Sequence, residues 1–180
     1  MNRTIVVRLK GGIGNQLFTY SAAKRLAMVN KAQLLIDSKT GFINDIKYNR
    51  SFLLDSLIPD LKIIKINSIF LALIKVRNQI LRCINYFIPF NYRNYLFQEK
   101  IEFDSRLLSY RFSGKIFFEG YWQSELYFSD IKTIIRSGVR LPLPDQPENK
   151  SYFDSIQRNE SVAVHIRMFS QENNFSTSTQ

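Results

Sequence analysis

The apolar run Ile5-Val6-Val7-Arg8-Leu9 leads directly into Gly11-Gly12-Ile13-Gly14-Asn15-Gln16-Leu17-Phe18. This order predicts a buried strand, a glycine-rich turn and a helix starting near Asn15. The junction aims backbone N–H groups and a helix N-terminus at one point, which suits an anionic or polar ligand. It also sets a β-α-β layer at the start of the chain, with no leader expected ahead of it. Two commoner motifs are excluded by spacing. A dinucleotide fingerprint needs a third glycine where Leu17 stands, and a P-loop needs Gly-Lys-Ser/Thr where Asn15-Gln16 stands.

Further along, residues 16–30 read as a helix with Leu17, Tyr20, Ala23, Ala27 and Met28 on one face. Residues 33–36 form a second strand ending at Asp37. In such a unit the two strand C-termini share an edge, so the glycine loop and Asp37 face one crevice. Residues 38–60 read as loop. Apolar residues at 69, 73, 76, 80, 84 and 87 have helical spacing, and Pro89 ends that helix. Residues 91–114 give little beyond a short helix near 105–110. Ile116-Phe117-Phe118 is a third strand, followed by the Gly120-Tyr121-Trp122-Gln123 turn. A helix or two cover 124–136, a Pro-rich connector 141–147, a helix 148–156 and a fourth strand 161–167.

Composition narrows the function. The chain has 180 residues, 45% of them apolar, which fits one globular core with an appendage. Its net charge is +10, and residues 61–98 hold six Lys/Arg and no Asp or Glu. Such a stretch favours anionic surfaces. No zinc-finger spacing or dense basic stripe appears, so nucleic acid is not an expected partner. One Cys (Cys83) and one His (His165) leave no intrachain disulfide and little support for a zinc site or a Cys-His pair. No secretory signal or uninterrupted 18-residue apolar span is visible. The expected setting is the cytoplasm. Residues 69–88 are more commonly a core-packed helix, and their basic character leaves a peripheral membrane contact open.

Three segments resemble the α-1,2-fucosyltransferases (glycosyltransferase family 11). These are Gly11-Gly12-Ile13-Gly14-Asn15-Gln16-Leu17-Phe18, Gly120-Tyr121-Trp122-Gln123-Ser124, and Val162-Ala163-Val164-His165-Ile166-Arg167, which is similar to the start of the family's His-x-Arg-Arg-x-Asp motif. The third match breaks off, with Met168 in place of the second arginine and Ser170 in place of the aspartate. The resemblance implies an α/β fold with a Rossmann-like parallel sheet and flanking helices. It also implies the N-terminal half of a two-domain GT-B-type glycosyltransferase. On that reading residues 1–167 form the N-terminal domain with the first strand of the donor motif. Residues 168–180 are a disordered tail foreign to the family, from a frameshift or premature stop. The C-terminal nucleotide-binding domain is absent.

The activity so implied is inverting, metal-independent transfer of fucose from GDP-fucose to the 2-hydroxyl of galactose, with no cofactor. The partners are a sugar nucleotide and a galactose-terminated glycan at the inner membrane face. Donor-binding candidates are Gly11, Gly12, Gly14, Asn15, Gln16, His165 and Arg167, and the resemblance implies that Arg167 grips the diphosphate with His165 beside it. Acceptor-binding candidates are Tyr121, Trp122 and Gln123. Asp37 and Glu119, at predicted strand ends, are alternative bases for the acceptor hydroxyl. Each assignment has a plainer alternative. Asn15 caps the helix, Trp122 fills the core, and the carboxylates are solvated or cap helices. For the whole chain, the alternative is a non-catalytic remnant that binds glycan, a partner or the membrane surface.

Overall fold

The computed structural model describes residues 3–64, 77, 79–141, 145–162 and 164. The chain divides into two compact units, Met1–Leu141 and Pro142–Gln180. The first unit is built on strands β1 (Thr4–Arg8), β2 (Gln33–Asp37), β3 (Tyr95–Phe97) and β4 (Lys115–Glu119). They form one sheet in the order β2-β1-β4-β3, and every neighbouring pair is parallel. The expected α/β fold with a parallel sheet is therefore present. Strand β3 lies in a stretch whose sequence gives no clear strand pattern. At three residues, and on an edge, it is too short to show a period of two.

Register fixes the working edge of this sheet. Arg8 pairs with both Asp37 and Glu119, and Glu119 with Phe97. Four carboxyl-terminal residues thus stand in one row. Side chains on parallel strands in register point to the same face, so three charged residues, Asp37, Arg8 and Glu119, cap an apolar sheet beside Phe97.

Helix α1 (Ile13–Asn30) covers one face of the sheet. Ile5, Val7, Ile36, Leu96, Ile116 and Phe118 cluster with Tyr20, Ala23, Leu26 and Ala27. The helix starts at Ile13, ahead of the expected Asn15, with Gly12 as N-cap and no side-chain cap. It ends at Lys31 in the left-handed region, whose N–H meets the last-turn carbonyls. Burial reaches around more of α1 than its apolar stripe predicts. Thr19, Ser21 and Asn30 are buried, and each hydroxyl or amide donates to a carbonyl one turn earlier. Met28, expected on the buried face, is exposed.

The predicted helix over 69–88 is described only in part. Residues 77 and 79–85 are helical, and 65–76 and 78 lie outside the described residues. Its orientation overturns the core-packed expectation for this part. Ile80, Ile84 and Phe87 of the apolar stripe are exposed, at 53%, 43% and 83%. The polar side faces inward. Arg82 reaches Glu119, and the buried Asn85 donates to the Tyr95 carbonyl at 2.5 Å. The physical reason is the unmet demand beneath it: a buried carboxylate and an edge-strand carbonyl need donors more than the helix needs to bury aliphatic groups.

After β4 come two 3-10 turns, Glu125–Tyr127 and Ser129–Ile131. The short helices of this unit are α2 (Arg106–Ser109) and α3 (Lys132–Gly138). The second unit contains α4 (Pro147–Arg158), with proline in the first turn and no buried residue. Residues 161, 162 and 164 are not in a strand, and the rest of the predicted fourth strand lies outside the described residues.

Candidate functional site

The glycine loop leaves β1 at Lys10 and turns at Gly11, where φ is +79°. A Cβ at Gly11 would stand 2.8 Å from the Asn15 amide nitrogen and 3.0 Å from the Tyr121 ring. Glycine is required there twice over, by dihedral and by space. At Gly12 and Gly14 an added Cβ would meet nothing within 4 Å. The start of α1 is therefore open, with its first backbone N–H groups unpaired within the helix.

Asn15 and Gln16 part company. The Gln123 amide donates to Asn15 Oδ1 at 2.6 Å on the exposed side of the loop. Gln16 is fully buried: its amide donates to the Gly11 and Ser51 carbonyls, both at 2.9 Å, and its oxygen accepts from Leu53 N–H at 3.0 Å. Both donors are thus committed to holding the loops at 11 and 51–53 together. Asn15 is not the helix cap, because Gly12 occupies that position.

The turn after β4 docks against this loop. Thr19 Oγ1 lies 3.0 Å from the Gly120 carbonyl and 3.2 Å from that of Tyr121. Gln98 Oε1 accepts from the Tyr121 and Trp122 N–H groups at 2.8 and 2.9 Å. Trp122 is 1% exposed; it stacks on Phe118 with centroids 4.6 Å apart and meets Tyr127 edge-on at 5.3 Å. Of the three acceptor candidates, then, Tyr121 and Gln123 stand at the loop, while the Trp122 ring is packed in the core. Lys10 Nζ sits 4.8 Å over the Tyr121 ring centroid.

Next to this junction lies a buried charge cluster. Glu119 is 1% exposed. Its Oε1 accepts from Arg8 and from Arg82, each at 2.7 Å, and Lys10 Nζ is 3.7 Å away. The Tyr95 hydroxyl donates to Oε2. Burial opposes the charged form of Glu119, but Arg8, the Tyr95 hydrogen bond, Arg82 and Lys10 together hold its carboxyl below the usual glutamate range. The reverse balance acts on Lys10. Burial draws its ammonium below the ordinary lysine value, Glu119 pulls it back, and Arg8 and Arg82 push it further down. Three cations share one carboxylate, so the edge carries surplus positive charge.

Asp37 is also committed. Its Oδ1 accepts from the Lys39 and Thr40 N–H groups at 3.1 and 3.0 Å, and Oδ2 from the Thr40 hydroxyl. Thr40 in turn receives Arg8 at its hydroxyl (2.9 Å) and carbonyl (2.6 Å). Asp37, Thr40, Arg8 and Glu119 therefore form one chain across three strands. A cavity of about 220 Å³ lies on this face, with Val6, Leu35, Tyr95 and Phe117 in its wall and Arg8, Asp37 and Glu119 at the charged end.

The structure thus gathers Gly11, Gly12, Gly14, Asn15, Asp37, Glu119, Tyr121 and Gln123 at one edge. His165 and Arg167 lie outside the described residues. Sequence reading passed over Arg8, Lys10, Thr40, Arg82 and Tyr95. A signal existed for the first two: an arginine ending a buried strand and a lysine just after it demand a carboxylate, and Glu119 ends another such strand. Arg82 falls opposite the stripe 80, 84, 87, which is uninformative until that stripe is known to face outward. Among the described residues no group of three His, Cys, Asp or Glu side chains could hold a metal ion.

Fold and site together define a Rossmann-like α/β unit with a basic carboxyl-terminal edge. No protein-family profile and no solved structure matches the chain. It does align over 163 residues with the α-1,2-colitosyltransferase of Escherichia coli at 29% identity, covering 91% of this chain and 53% of that enzyme. The chain spans about half the length of this relative.

Proposed function

We propose that this chain is the N-terminal half of a glycosyltransferase that carries a deoxyhexose from a GDP-sugar to the 2-hydroxyl of a galactose-terminated glycan. The observation that carries this reading is the likeness to the colitosyltransferase over 91% of the chain. The geometry supports it. Departure of GDP leaves new negative charge on a diphosphate, and the open start of α1 with Lys10 beside it is a place where such charge is stabilised. In the same reading His165 and Arg167 are donor-binding residues, as the resemblance implies.

The two carboxylates act here as positioning groups. Both oxygens of Glu119 and of Asp37 already accept from the protein. Glu119 holds three cations in place without neutralising all of them. Asp37 fixes the turn that carries Thr40 to Arg8. The donor sugar is fucose or colitose, a choice that rests on the residues around one hydroxyl of the sugar ring.

The test is a chimera in which this chain replaces the matching half of the colitosyltransferase. Supplied with GDP-fucose and GDP-colitose in competition, and with lactose, it should consume one of them and form a trisaccharide. Absence of product with either donor, from a chimera that melts cooperatively, contradicts the reading. The 180-residue chain alone should give no product, because the guanosine contacts belong to the other half.

The outward stripe Ile80, Ile84 and Phe87, with Tyr86 and Tyr92 exposed at 84% and 82%, favours a second role for residues 61–98: peripheral contact with the cytoplasmic membrane face. Among the described residues no helix is long and apolar enough to cross a membrane. Flotation with anionic liposomes, lost on Phe87→Ser with Tyr86→Ser, tests this role. Flotation that is unchanged in the double variant removes these residues from it.

A further inference from the structure

Helix α4 presents an apolar face with no partner. Tyr152, Phe153 and Ile156 are all exposed, at a spacing that gathers them within about 100° of the helix circumference. None of the residues of α4 is buried. Val162 and Val164, just beyond the helix, are exposed as well, two positions apart as on one side of a strand. No ion pair among the described residues falls on α4. Isolated helices shorter than about 12–15 residues are marginal in water, and a packed apolar face is what ordinarily holds them. This helix therefore needs a surface to cover it.

We propose that the face formed by Tyr152, Phe153 and Ile156 is the docking site for the part of the full-length enzyme that lies outside these 180 residues. The identity of the occupant rests on the glycosyltransferase reading; the need for one rests on the helix itself. The likeness to the colitosyltransferase supplies the argument for that occupant. Any stretch of 163 residues in this chain takes in residues 18–163, so α4 lies inside the alignment and has a counterpart in that enzyme. The alignment covers 53% of the enzyme, so almost half of it has no counterpart here. A shared helix with a bare apolar face is matched by a body of protein that is present in the relative and not in these residues.

Two other occupants fit less well. A helix that lies on a membrane is rich in Lys and Arg on its polar side. In α4 Lys150 and Arg158 are balanced by Glu148 and Asp154. A second copy of this chain would bind through the same short face. Three side chains from each partner fall well below the roughly 1,200–2,000 Å² of a stable interface. Within one polypeptide no such area is needed, because the linked partner is present at a high effective concentration.

Hydrogen exchange reads the contact directly. In the 180-residue chain the amides of α4 should exchange as in an unpacked helix. In the chimera, where the rest of the colitosyltransferase follows, they should slow at least about a hundredfold, as in a helix that opens only when its packing does. Phe153→Ser with Ile156→Ser should remove that protection. The same pair should leave the melting of the 180-residue chain unchanged, since neither side chain is buried there. Arg158→Ser, on the opposite side of the helix, should keep the protection, and its loss there too would count against the apolar face. Fast exchange of α4 in a chimera that melts cooperatively overturns the docking site. So does protection already present in the 180-residue chain: this would assign the face to the chain's own residues, or to a second copy if it grows with concentration. Product from a chimera whose α4 is unprotected would keep the transferase reading and remove the docking site; protection without product would do the reverse.

Discussion

Arg8 donates to Glu119 Oε1 across 2.7 Å, from the last residue of one strand to the last residue of its parallel neighbour. The bond lies nearly out of solvent, with Glu119 at 2% side-chain exposure and Arg8 at 22%. Arg82 meets the same oxygen from the helical segment and the Tyr95 hydroxyl of β3 donates to the other, so one carboxylate ties together three strands and a helix. Glu119→Gln keeps the shape and removes the charge, leaving three cations close together. The expected loss of stability is about 2–4 kcal/mol, reduced from a fully buried pair because the arginines are partly exposed. Urea unfolding of the two proteins measures it; a difference within error would make the cluster incidental.

The same cluster sets the pH limits of the fold. Glu119 is held below the usual glutamate range, so its contribution is present above that range and is lost as pH falls through the folded value. On the alkaline side, burial and then the Glu119 hydrogen bond and charge raise Tyr95 to about 12, and burial raises Tyr110 to about 12. A raised tyrosine stabilises fully below the ordinary value near 10 and loses that contribution as pH climbs toward 12. Urea midpoints taken across this range should fall steadily. Tyr95→Phe should flatten the alkaline limb, and an unchanged limb would exclude Tyr95 as its source.

Gly14→Ala separates ligand approach from folding. The added Cβ meets nothing within 4 Å, and Gly14 lies in the first turn of α1. Replacing a helical glycine by alanine stabilises by roughly 0.5–1 kcal/mol where space allows. The melting temperature should hold or rise. In the chimera, kcat/KM should fall at least about tenfold if a phosphate sits against the backbone there, about 1.4 kcal/mol of transition-state binding. Full activity in Gly14→Ala would place the donor elsewhere.

Asn15→Ala makes a related distinction. Since Gly12 is the cap, the substitution removes one exposed hydrogen bond to Gln123 and no helix cap. Stability should change by less than about 1 kcal/mol. Transfer by the chimera should drop much further than that. A variant that melts early but transfers at the normal rate would assign Asn15 a purely structural role.

How much of this was legible in the chain depends on which residues are considered. The order strand, glycine turn, helix was readable because Ile5–Leu9 is continuously apolar and three glycines follow. So was the meeting of that turn with Asp37, through the edge rule for parallel strands; its contact with Tyr121 and Gln123 comes from the structure. Strand β3 was not, since three edge residues carry no period. Nor was the inward face of residues 79–85, because a helical apolar stripe is ordinarily the buried side. There the partners, Glu119 and the Tyr95 carbonyl, come from distant strands. Gly41 gave no local signal either.

Gly41 supplies a test of the backbone path beneath the site. A Cβ at this position would stand 1.8 Å from the Leu9 carbonyl oxygen. The obstacle is main chain on β1's exit, which cannot rotate away as a side chain could. Gly41→Ala should destabilise by about 3 kcal/mol or more and disturb Thr40, which pairs with both Arg8 and Asp37. Normal stability would mean that the turn after β2 is placed differently.

Of all these measurements, the one that bears most directly on the central claim is the product made by the chimera carrying this chain. Incubated with GDP-fucose or GDP-colitose and lactose, it is predicted to yield a trisaccharide whose new deoxyhexose is attached at the 2-hydroxyl of galactose, identified by mass and by linkage analysis. Attachment at any other position, or a folded chimera that leaves both donors and lactose unchanged, would contradict the account.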